Sequence, residues 1–223
     1  MPVLTETVKL GTYCQKLYTG EVTTSPGEQP SLQERKRMAV RNHIASVGVA
    51  LFVEHGFDAV TTEQIARAAD ISPRSFFRYF DTKEDVVLTG VAEAGQRIAS
   101  ALRARPAQET AWDALRLALR VLQDQPVYPP EHLLAISRML VQTPSLRARE
   151  LEKQQHWEDL LLPHVVTRLP PHADGPDAAD ARGSAIIGAA LACLNAVTTA
   201  WVRADGIPDP LRLLDDAIAT VRS

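Results

Sequence analysis

Apolar residues recur at helical spacing along most of this chain, and turn-forming residues divide the pattern into segments. The first stripe consists of Val40, Ile44, Val47, Leu51 and Phe52. Ser31 and Glu34 have the spacing of a capping box, and Gly56 is placed to end the helix. We therefore predict a helix from Ser31 to Gly56.

Two shorter segments follow this helix. A second helix is expected to begin with Thr61 or Thr62 as its cap and to run through Ala69. Pro73 suits the first turn of a third helix that ends near Phe80, and the three residues before it form a tight turn. Two short helices joined in this way are typical of a helix-turn-helix, which reads DNA through its second helix.

The remainder of the chain continues the helical pattern. Asp81 or Thr82 is expected to cap a fourth helix that runs past Leu102. Further helices are expected at about 109–123, 130–142, 145–169, 177–203 and 210–221, with prolines at the joints. No strand pattern stands out. We predict an all-α fold of about nine helices, with a three-helix DNA-binding domain over 31–83 and a helical bundle over 84–223.

Charge and turn content change this picture in two places. Residues 1–30 lack a sustained period and are rich in turn formers, which predicts a flexible N-terminal arm. The whole chain has a net charge of −3, so binding to nucleic acid would depend on a local basic patch. Eight basic and six acidic residues between Ser31 and Lys83 give that segment a charge of +2, against −5 elsewhere.

The third helix supplies the candidate chemistry. The apolar side chains expected in the core around it are Ile65, Ile71, Phe76 and Phe80. The side chains left facing outward are Ser72, Arg74, Ser75, Arg78 and Tyr79. Arginine pairs with guanine and hydroxyls bind several base edges, so this face fits a major groove. The alternative is a helical hairpin whose charged face is only solvated.

The same region carries specific motifs. They are Arg41-x-x-Ile44, Leu51-Phe52-x-x-x-Gly56-Phe57, Thr62 with Ile65-Ala66, and Ser72-x-x-Ser75-Phe76-Phe77-x-Tyr79-Phe80-x-x-Lys83. Through them the region resembles the DNA-binding domain of the TetR family of repressors. The family commonly has Gly where this chain has Asp70, which tolerates a left-handed conformation. It often has Tyr where this chain has Phe77, which can touch a thymine methyl group.

The resemblance implies a role for each matched position. The expected DNA-binding residues are Arg41, Thr62, Ser72, Arg74, Ser75, Phe77, Arg78, Tyr79 and Lys83. Thr62 would hold a phosphate at the start of the second helix, and Lys83 would grip one beside the start of the fourth. Arg41 and the cluster Arg35-Lys36-Arg37 would add phosphate contacts where the first helix begins.

The C-terminal helices resemble the ligand domain of acyl-CoA-responsive regulators of the mycofactocin type, through the run from Arg138 to Glu150 and through Trp157 and Trp201. The resemblance implies that residues 84–223 form a ligand-binding and dimerisation domain. The candidate ligand-binding residues are Leu133, Ile136, Arg138, Leu140, Trp157 and Leu161, joined by Leu134 and Leu160. Their aliphatic character predicts an apolar or amphipathic ligand such as an acyl-CoA, with Arg138 and Trp157 fixing its polar end. The alternative is that these residues only form a core.

The last two helices carry small residues that permit close helix approach. These residues are Gly183, Ala185, Gly188, Ala189, Ala192 and Ala196. The resemblance implies that the two helices form a four-helix interface in a homodimer, and the alternative is packing within one chain. Two half-sites give a dimeric repressor its affinity and its length of recognition.

These observations predict a cytoplasmic, ligand-responsive repressor that binds a palindromic operator as a dimer and is released by an apolar small molecule. The alternatives are an activator, a protein that only binds DNA non-specifically, or a small-molecule-binding protein or enzyme that retains the helix-turn-helix. We expect no enzyme activity and no cofactor, because no nucleophile, phosphate-loop or paired-carboxylate motif stands out. Glu152, His156 and His164 share a helical face, but a zinc site needs tighter spacing, so we expect no metal.

Overall fold

The computed structural model describes residues 31–124, 128, 130–170 and 176–222. The arm expected over residues 1–30 lies outside the described residues. The chain divides after Lys83 into two compact units. Every regular element in the described ranges is an α-helix, and the predicted all-α fold is confirmed.

The first unit contains three helices: α1 Leu32–His55, α2 Thr62–Ala68 and α3 Pro73–Phe76. The capping box predicted for α1 is confirmed. The Ser31 hydroxyl accepts a hydrogen bond from the backbone N–H of Glu34 at 3.2 Å, and the Glu34 carboxylate accepts one from the backbone N–H of Ser31 at 2.7 Å. Gly56 ends α1 with a φ of 84°, a conformation that other residues rarely adopt.

The caps of α2 and α3 follow from short polar side chains. Thr61, and not Thr62, caps α2, in a second capping box with Gln64. Ser72 caps α3, and Pro73 occupies its first turn as expected. These caps set where each short helix begins, although neither helix is long enough to be stable alone.

The turn between α2 and α3 is a Schellman motif. The backbone N–H of Ile71 donates to the carbonyl of Ala66 at 2.9 Å, and that of Asp70 donates to the carbonyl of Arg67 at 3.2 Å. Asp70 has a φ of 56°, which confirms the left-handed conformation expected at this position. The turn thereby satisfies the last carbonyls of α2 and redirects the chain into α3.

The core of the first unit consists mainly of aromatic and branched side chains. Those that are buried include Ile44, Val49, Phe52, Phe57, Val60, Ile65, Phe76 and Phe80. The rings of Phe52 and Phe57 are 5.0 Å apart, and those of Phe76 and Phe80 are 5.6 Å apart. The prediction that Ile71 is also core is wrong, because the end of the turn leaves it partly exposed.

Helix α4 continues from the first unit into the second and covers Lys83–Arg103. The helices that follow are α5 Ala111–Leu119, α6 Val121–Asp124, α7 Pro130–Gln142, α8 Pro144–Val166, α9 Pro176–Arg203 and α10 Pro210–Arg222. The single helix predicted at about 109–123 is therefore two helices, α5 and α6. This brings the number in the described part of the chain to ten.

Helix α9 is central to the second unit, since it packs against α5, α7, α8 and α10. The largest core side chains of this unit are Ile98, Leu102, Leu115, Leu119, Trp157, Leu161, Val165, Ile187, Leu191 and Val197. Among the described residues, the stretch Asp177–Arg203 is long and apolar enough to cross a membrane, which by itself is weak evidence. It packs against four neighbouring helices, and 33% of its most apolar window is buried.

Candidate DNA-binding site

Helix α3 and the turn after it present a mixed cationic and aromatic surface. Arg74, Phe77 and Arg78 are exposed, and the Phe77 side chain reaches 52% exposure although it is apolar. Ser75 and Tyr79 lie partly buried beside them. This surface offers hydrogen-bond donors together with an apolar ring that folding leaves uncovered.

Buried rings hold this surface in place from behind. Phe76 is fully buried, and its ring contacts the edge of the Phe77 ring at a centroid distance of 5.5 Å. The backbone N–H groups of Tyr79 and Phe80 both donate to the carbonyl of Phe76, at 2.9 and 3.0 Å. The chain after α3 therefore stays in a defined turn, and Arg78 and Tyr79 project from fixed positions.

The two serines of the site bind each other. The Ser72 hydroxyl accepts a hydrogen bond from the backbone N–H of Ser75 at 3.1 Å, and the two hydroxyl oxygens lie 2.9 Å apart. Ser72 is thus the N-cap of α3. An exposed hydroxyl in such a pair still has capacity to bind a phosphate or a base edge.

Arg41 and Thr62 lie on the first two helices. The Arg41 guanidinium sits over the Phe80 ring, 4.9 Å from its centroid, in a cation–π contact. The Thr62 hydroxyl is 3.3 Å from the Glu63 carboxylate at the first turn of α2. Glu63 has a lowered pKa because of hydrogen bonds, first from its own backbone N–H and then from Thr61.

The Lys83 side chain binds backbone carbonyls of the first unit. Its ammonium donates to the carbonyls of Phe57 at 2.8 Å, Val60 at 3.1 Å and Asp58 at 3.5 Å. It also lies 4.4 Å from the centre of the Phe57 ring. An ammonium has three donors, so these carbonyls occupy them. The expectation that the Lys83 side chain grips a phosphate does not agree with this geometry.

A cluster of basic residues lies at the start of α1, apart from the arginines of the α3 surface. All residues from Ser31 to Val40 are exposed, including Arg35, Lys36 and Arg37. The exposed stretch also includes the apolar side chains of Leu32 and Met38, at 61% and 57%. The first turns of α1 therefore form a basic helical segment with no packing partner in the described part of the chain.

The candidate ligand residues fall into buried and partly buried groups. Ile136, Trp157 and Leu161 are buried, whereas Leu133, Arg138 and Leu140, with Leu134 and Leu160, are partly exposed. The indole N–H of Trp157 donates to the carbonyl of Val91 at 3.2 Å. An indole has one donor, so the expectation that Trp157 binds the polar end of a ligand is not supported. Arg138 forms an ion pair with Asp205 and keeps further donors.

Sequence reasoning missed a buried polar pair in the second unit. The side-chain amides of Gln154 in α8 and Asn195 in α9 form two reciprocal hydrogen bonds of 2.9 Å. Gln154 is 6% exposed, and this pairing removes the cost of burying its amide. The pair fixes the register of α8 against α9. No local sequence signal identifies it, because the partners are 41 positions apart.

Comparisons with known proteins agree with this architecture. Residues 44–89 match the tetR family of bacterial regulatory proteins, and residues 109–223 match the C-terminal domain of MftR. TcmR, an HTH-type transcriptional regulator of Streptomyces glaucescens, is 32% identical over 152 residues, which are 66% of this chain and 67% of TcmR. MftR of Mycobacterium tuberculosis, named as a regulator of mycofactocin biosynthesis, is 28% identical over 134 residues, 60% of this chain and 68% of MftR.

A solved structure shows the same fold. Thermus thermophilus FadR, a TetR-family repressor in complex with lauroyl-CoA, superposes with a TM-score of 0.55 at 22% identity, covering 80% of this chain and 91% of FadR. The MftR C-terminal domain matches half of the chain, and TcmR is covered over two thirds of its length. This chain therefore belongs to the TetR family of bacterial regulatory proteins.

Proposed function

We propose that this chain is a cytoplasmic transcriptional repressor that binds a palindromic operator as a homodimer and leaves it when an apolar small molecule binds. The observation that carries the proposal is the surface of α3, where Arg74, Arg78 and Phe77 are exposed on a capped, rigid turn. Phe77 stays 52% exposed, with cationic residues at positions 74 and 78, although it is apolar. It suits a base-lined groove.

Direct readout follows from these side-chain types. Arg74 and Arg78 offer bidentate donors to the O6 and N7 atoms of guanine. Phe77 offers an apolar face to the methyl group of thymine, and Tyr79 offers a hydroxyl to a phosphate or base edge. Ser72 and Ser75 would contribute through their shared hydroxyl pair. We assign α3 to the major groove.

Phosphate contacts are assigned to the flanking elements. Thr62 lies at the first turn of α2, where backbone N–H groups and the helix dipole favour an anion. Arg41, which lies over the Phe80 ring, and the exposed cluster of Arg35, Lys36 and Arg37 at the start of α1 supply cations. The Lys83 side chain binds the loop between α1 and α2. Only the backbone N–H of Lys83 therefore remains a candidate donor to a phosphate.

A second copy of this chain is the proposed partner of α9. The exposed residues along one face of α9 are Ala181, Ala185, Gly188, Ala192, Ala196 and Ala200, while Ile187, Leu191 and Val197 enter the core. These small side chains allow another helix to approach closely, and α10, which packs against α9, exposes Ala219 and Val221. A two-fold dimer through α9 and α10 would pair two recognition helices on one operator.

The proposed ligand is an acyl chain with a polar end, such as an acyl-CoA. The support is the aliphatic character of Leu133, Ile136, Leu140 and Leu161, together with the lauroyl-CoA complex of the FadR neighbour. Arg138 remains the candidate for the polar end, because a guanidinium that pairs with one carboxylate keeps further donors. Binding would shift the population towards a conformation that fits the operator poorly.

Selection of bound duplexes from a random DNA library tests the proposal. We expect the full-length chain to enrich an inverted repeat whose half-sites lie about one helical turn apart. Enrichment of no sequence, with binding that depends only on salt, would support non-specific DNA binding instead. An activator would enrich the same kind of site, and transcription from a promoter carrying it separates activation from repression.

A further inference from the structure

The loop between α9 and α10 holds a carboxylate against α7. Asp205 in this loop forms an ion pair with Arg138, in which a guanidinium N–H donates to the carboxylate. Arg138 lies in the second half of α7, 67 positions earlier in the chain. Because Arg138 is also the residue proposed for the polar end of the ligand, the partner that it already has affects what it can bind.

The backbone of the loop fixes the position of Asp205. The backbone N–H of Gly206 donates to the carbonyl of Trp201 at 2.9 Å, and that of Asp205 donates to the carbonyl of Val202 at 3.2 Å, as in a Schellman motif. The Trp201 indole N–H donates back to the carbonyl of Gly206 at 3.1 Å. These three bonds hold the loop without help from the Asp205 side chain.

The contact between the loop and α7 also does not depend on the ion pair. Leu134, one helical turn before Arg138, packs on Gly206, and its Cδ2 atom would lie 3.2 Å from a Cβ atom at that glycine. The pair between Arg138 and Asp205 can therefore open by rotation of the two side chains, while the loop and α7 stay in place.

The turn does not require a charge at position 205. Asp205 has a φ of 53°, a left-handed conformation that asparagine tolerates as well as aspartate does. The ion pair also contributes little to stability, because the side chains of Arg138 and Asp205 are 39% and 77% exposed. The effect of the charge that remains is the occupation of Arg138.

We propose that Asp205 is a specificity-determining residue, and that its carboxylate competes with the anionic end of the ligand for Arg138. The inference rests on the proposed function, since it requires a ligand whose polar end reaches Arg138. An anion that approaches the other donors of Arg138 meets the charge of Asp205 on the same guanidinium, so the two anions exchange. Asp205 is then solvated by water. The competition weakens the binding of a carboxylate or a phosphate and leaves an uncharged polar end unaffected.

Asp205→Asn in the full-length protein removes the competing charge and keeps the shape of the side chain and its tolerance of positive φ. Four probes are titrated by calorimetry. Decanoate and decanoyl-CoA carry the same chain with a carboxylate or with phosphates, decanol carries the chain without a charge, and pyrophosphate carries the charge without a chain. Asp124→Asn is the matched control, since Asp124 is exposed at the end of α6.

We expect Asp205→Asn to lower the Kd of the anionic probes by about two- to fivefold, the range that an exposed ion pair allows. The Kd of decanol, and every Kd of the Asp124→Asn protein, should stay at the wild-type value. A gain for decanoate or for decanoyl-CoA alone identifies the anion as a carboxylate or a phosphate. Equal changes for decanol and the anions, or no change for any anion, would overturn the proposal.

A second background separates direct competition from repulsion at a distance. In an Arg138→Gln protein, Asp205→Asn should change the Kd of the anionic probes by less than about 1.5-fold, because the guanidinium for which they compete is absent. An equal gain in both backgrounds would show that Asp205 acts only through its general negative charge and would contradict its role as a competitor.

Failure of the proposed ligand class has a different signature. A wild-type protein that binds none of the three acyl compounds contradicts that class, whatever Asp205 does. Pyrophosphate then decides the exchange by itself, since it needs no site for a chain. Tighter binding of pyrophosphate to Asp205→Asn than to the wild type supports the competition, and equal or absent binding to both proteins overturns it.

Discussion

The ammonium of Lys83 lies 2.8 Å from the carbonyl oxygen of Phe57 and 4.4 Å from the centre of the ring of the same residue. The two contacts tie the start of α4 to the loop that leads from α1 to α2. Phe57 and Val60 are buried residues, so without Lys83 their own partly buried carbonyls would lose a charged donor. Lys83 thereby stabilises the unit that carries the recognition helix.

Replacing Lys83 with methionine tests this role. We expect the DNA-binding unit to lose about 1–3 kcal/mol of stability, because buried carbonyls are left unsatisfied. Chemical denaturation of the full-length protein measures the loss. Lys83→Arg should restore little of it, since a planar guanidinium cannot point three donors into the loop.

The salt dependence of operator binding separates the two roles of Lys83. If Lys83→Met acts through the loop, operator affinity falls while the slope of log K against log salt stays at the wild-type value. A phosphate contact in each protomer would instead lower the magnitude of that slope by about 2 for the dimer. The second outcome would restore the role that sequence reasoning assigned to the Lys83 side chain.

For the basic cluster at the start of α1 we expect the opposite of Lys83: unchanged stability and a changed salt slope. Replacing Arg35, Lys36 and Arg37 with alanine should leave stability unchanged, because all three are exposed. Loss of their phosphate contacts should lower the magnitude of the salt slope by up to about 5 for a dimer. Arg103→Ala, an exposed change at the last residue of α4 and outside the proposed dimer interface, is the control. An unchanged slope in the triple variant would remove this cluster from the interface with DNA.

The dimer is tested on the exposed face of α9. Ala192→Glu should give monomers in light scattering, because two carboxylates would face each other across a close helix contact. Ala148→Glu on α8 is the matched control, since Ala148 is also exposed but lies outside the proposed interface. A dimeric Ala192→Glu protein would place the interface elsewhere.

Ligand binding and DNA release should be thermodynamically linked. Lauroyl-CoA at 100 times its Kd should stabilise the protein by about 2.7 kcal/mol and should weaken operator binding at the same time. Thermal shift and fluorescence anisotropy on the same samples measure both effects. Short polar coenzymes serve as controls. Stabilisation by polar compounds only, or stabilisation without DNA release, would contradict the proposed ligand class.

Local elements of the DNA-binding unit were predictable because their signals are local. Ser31 and Glu34 form reciprocal hydrogen bonds within one helical turn. Asp70 adopts the left-handed conformation, which aspartate tolerates better than most residue types. The choice between Thr61 and Thr62 as the cap of α2 was not predictable, because both residue types suit that position. The structure decides it through the bonds between Thr61 and Gln64.

Contacts between distant residues were the part that sequence could not supply. Lys83 binds carbonyls 23 to 26 positions earlier, and Trp157 binds a carbonyl 66 positions earlier. A backbone carbonyl is present at every residue, so nothing in the sequence marks the ones that these donors reach. The helical pattern placed Lys83 at the start of α4 and Trp157 within α8. The carbonyls that these side chains bind change the roles that the sequence suggested for them.

The most direct test of the account is operator affinity in variants of the recognition surface. Arg74→Ala and Tyr79→Phe are compared with wild type and with Arg103→Ala, by fluorescence anisotropy on the selected operator and on a scrambled duplex. We expect Arg74→Ala to lose about 10- to 100-fold in operator affinity, Tyr79→Phe to lose less, and both to bind scrambled DNA much as wild type does. Circular dichroism and light scattering should show an intact fold and dimer. Wild-type operator affinity in the Arg74→Ala and Tyr79→Phe proteins would contradict the assignment of α3 as the element that reads DNA.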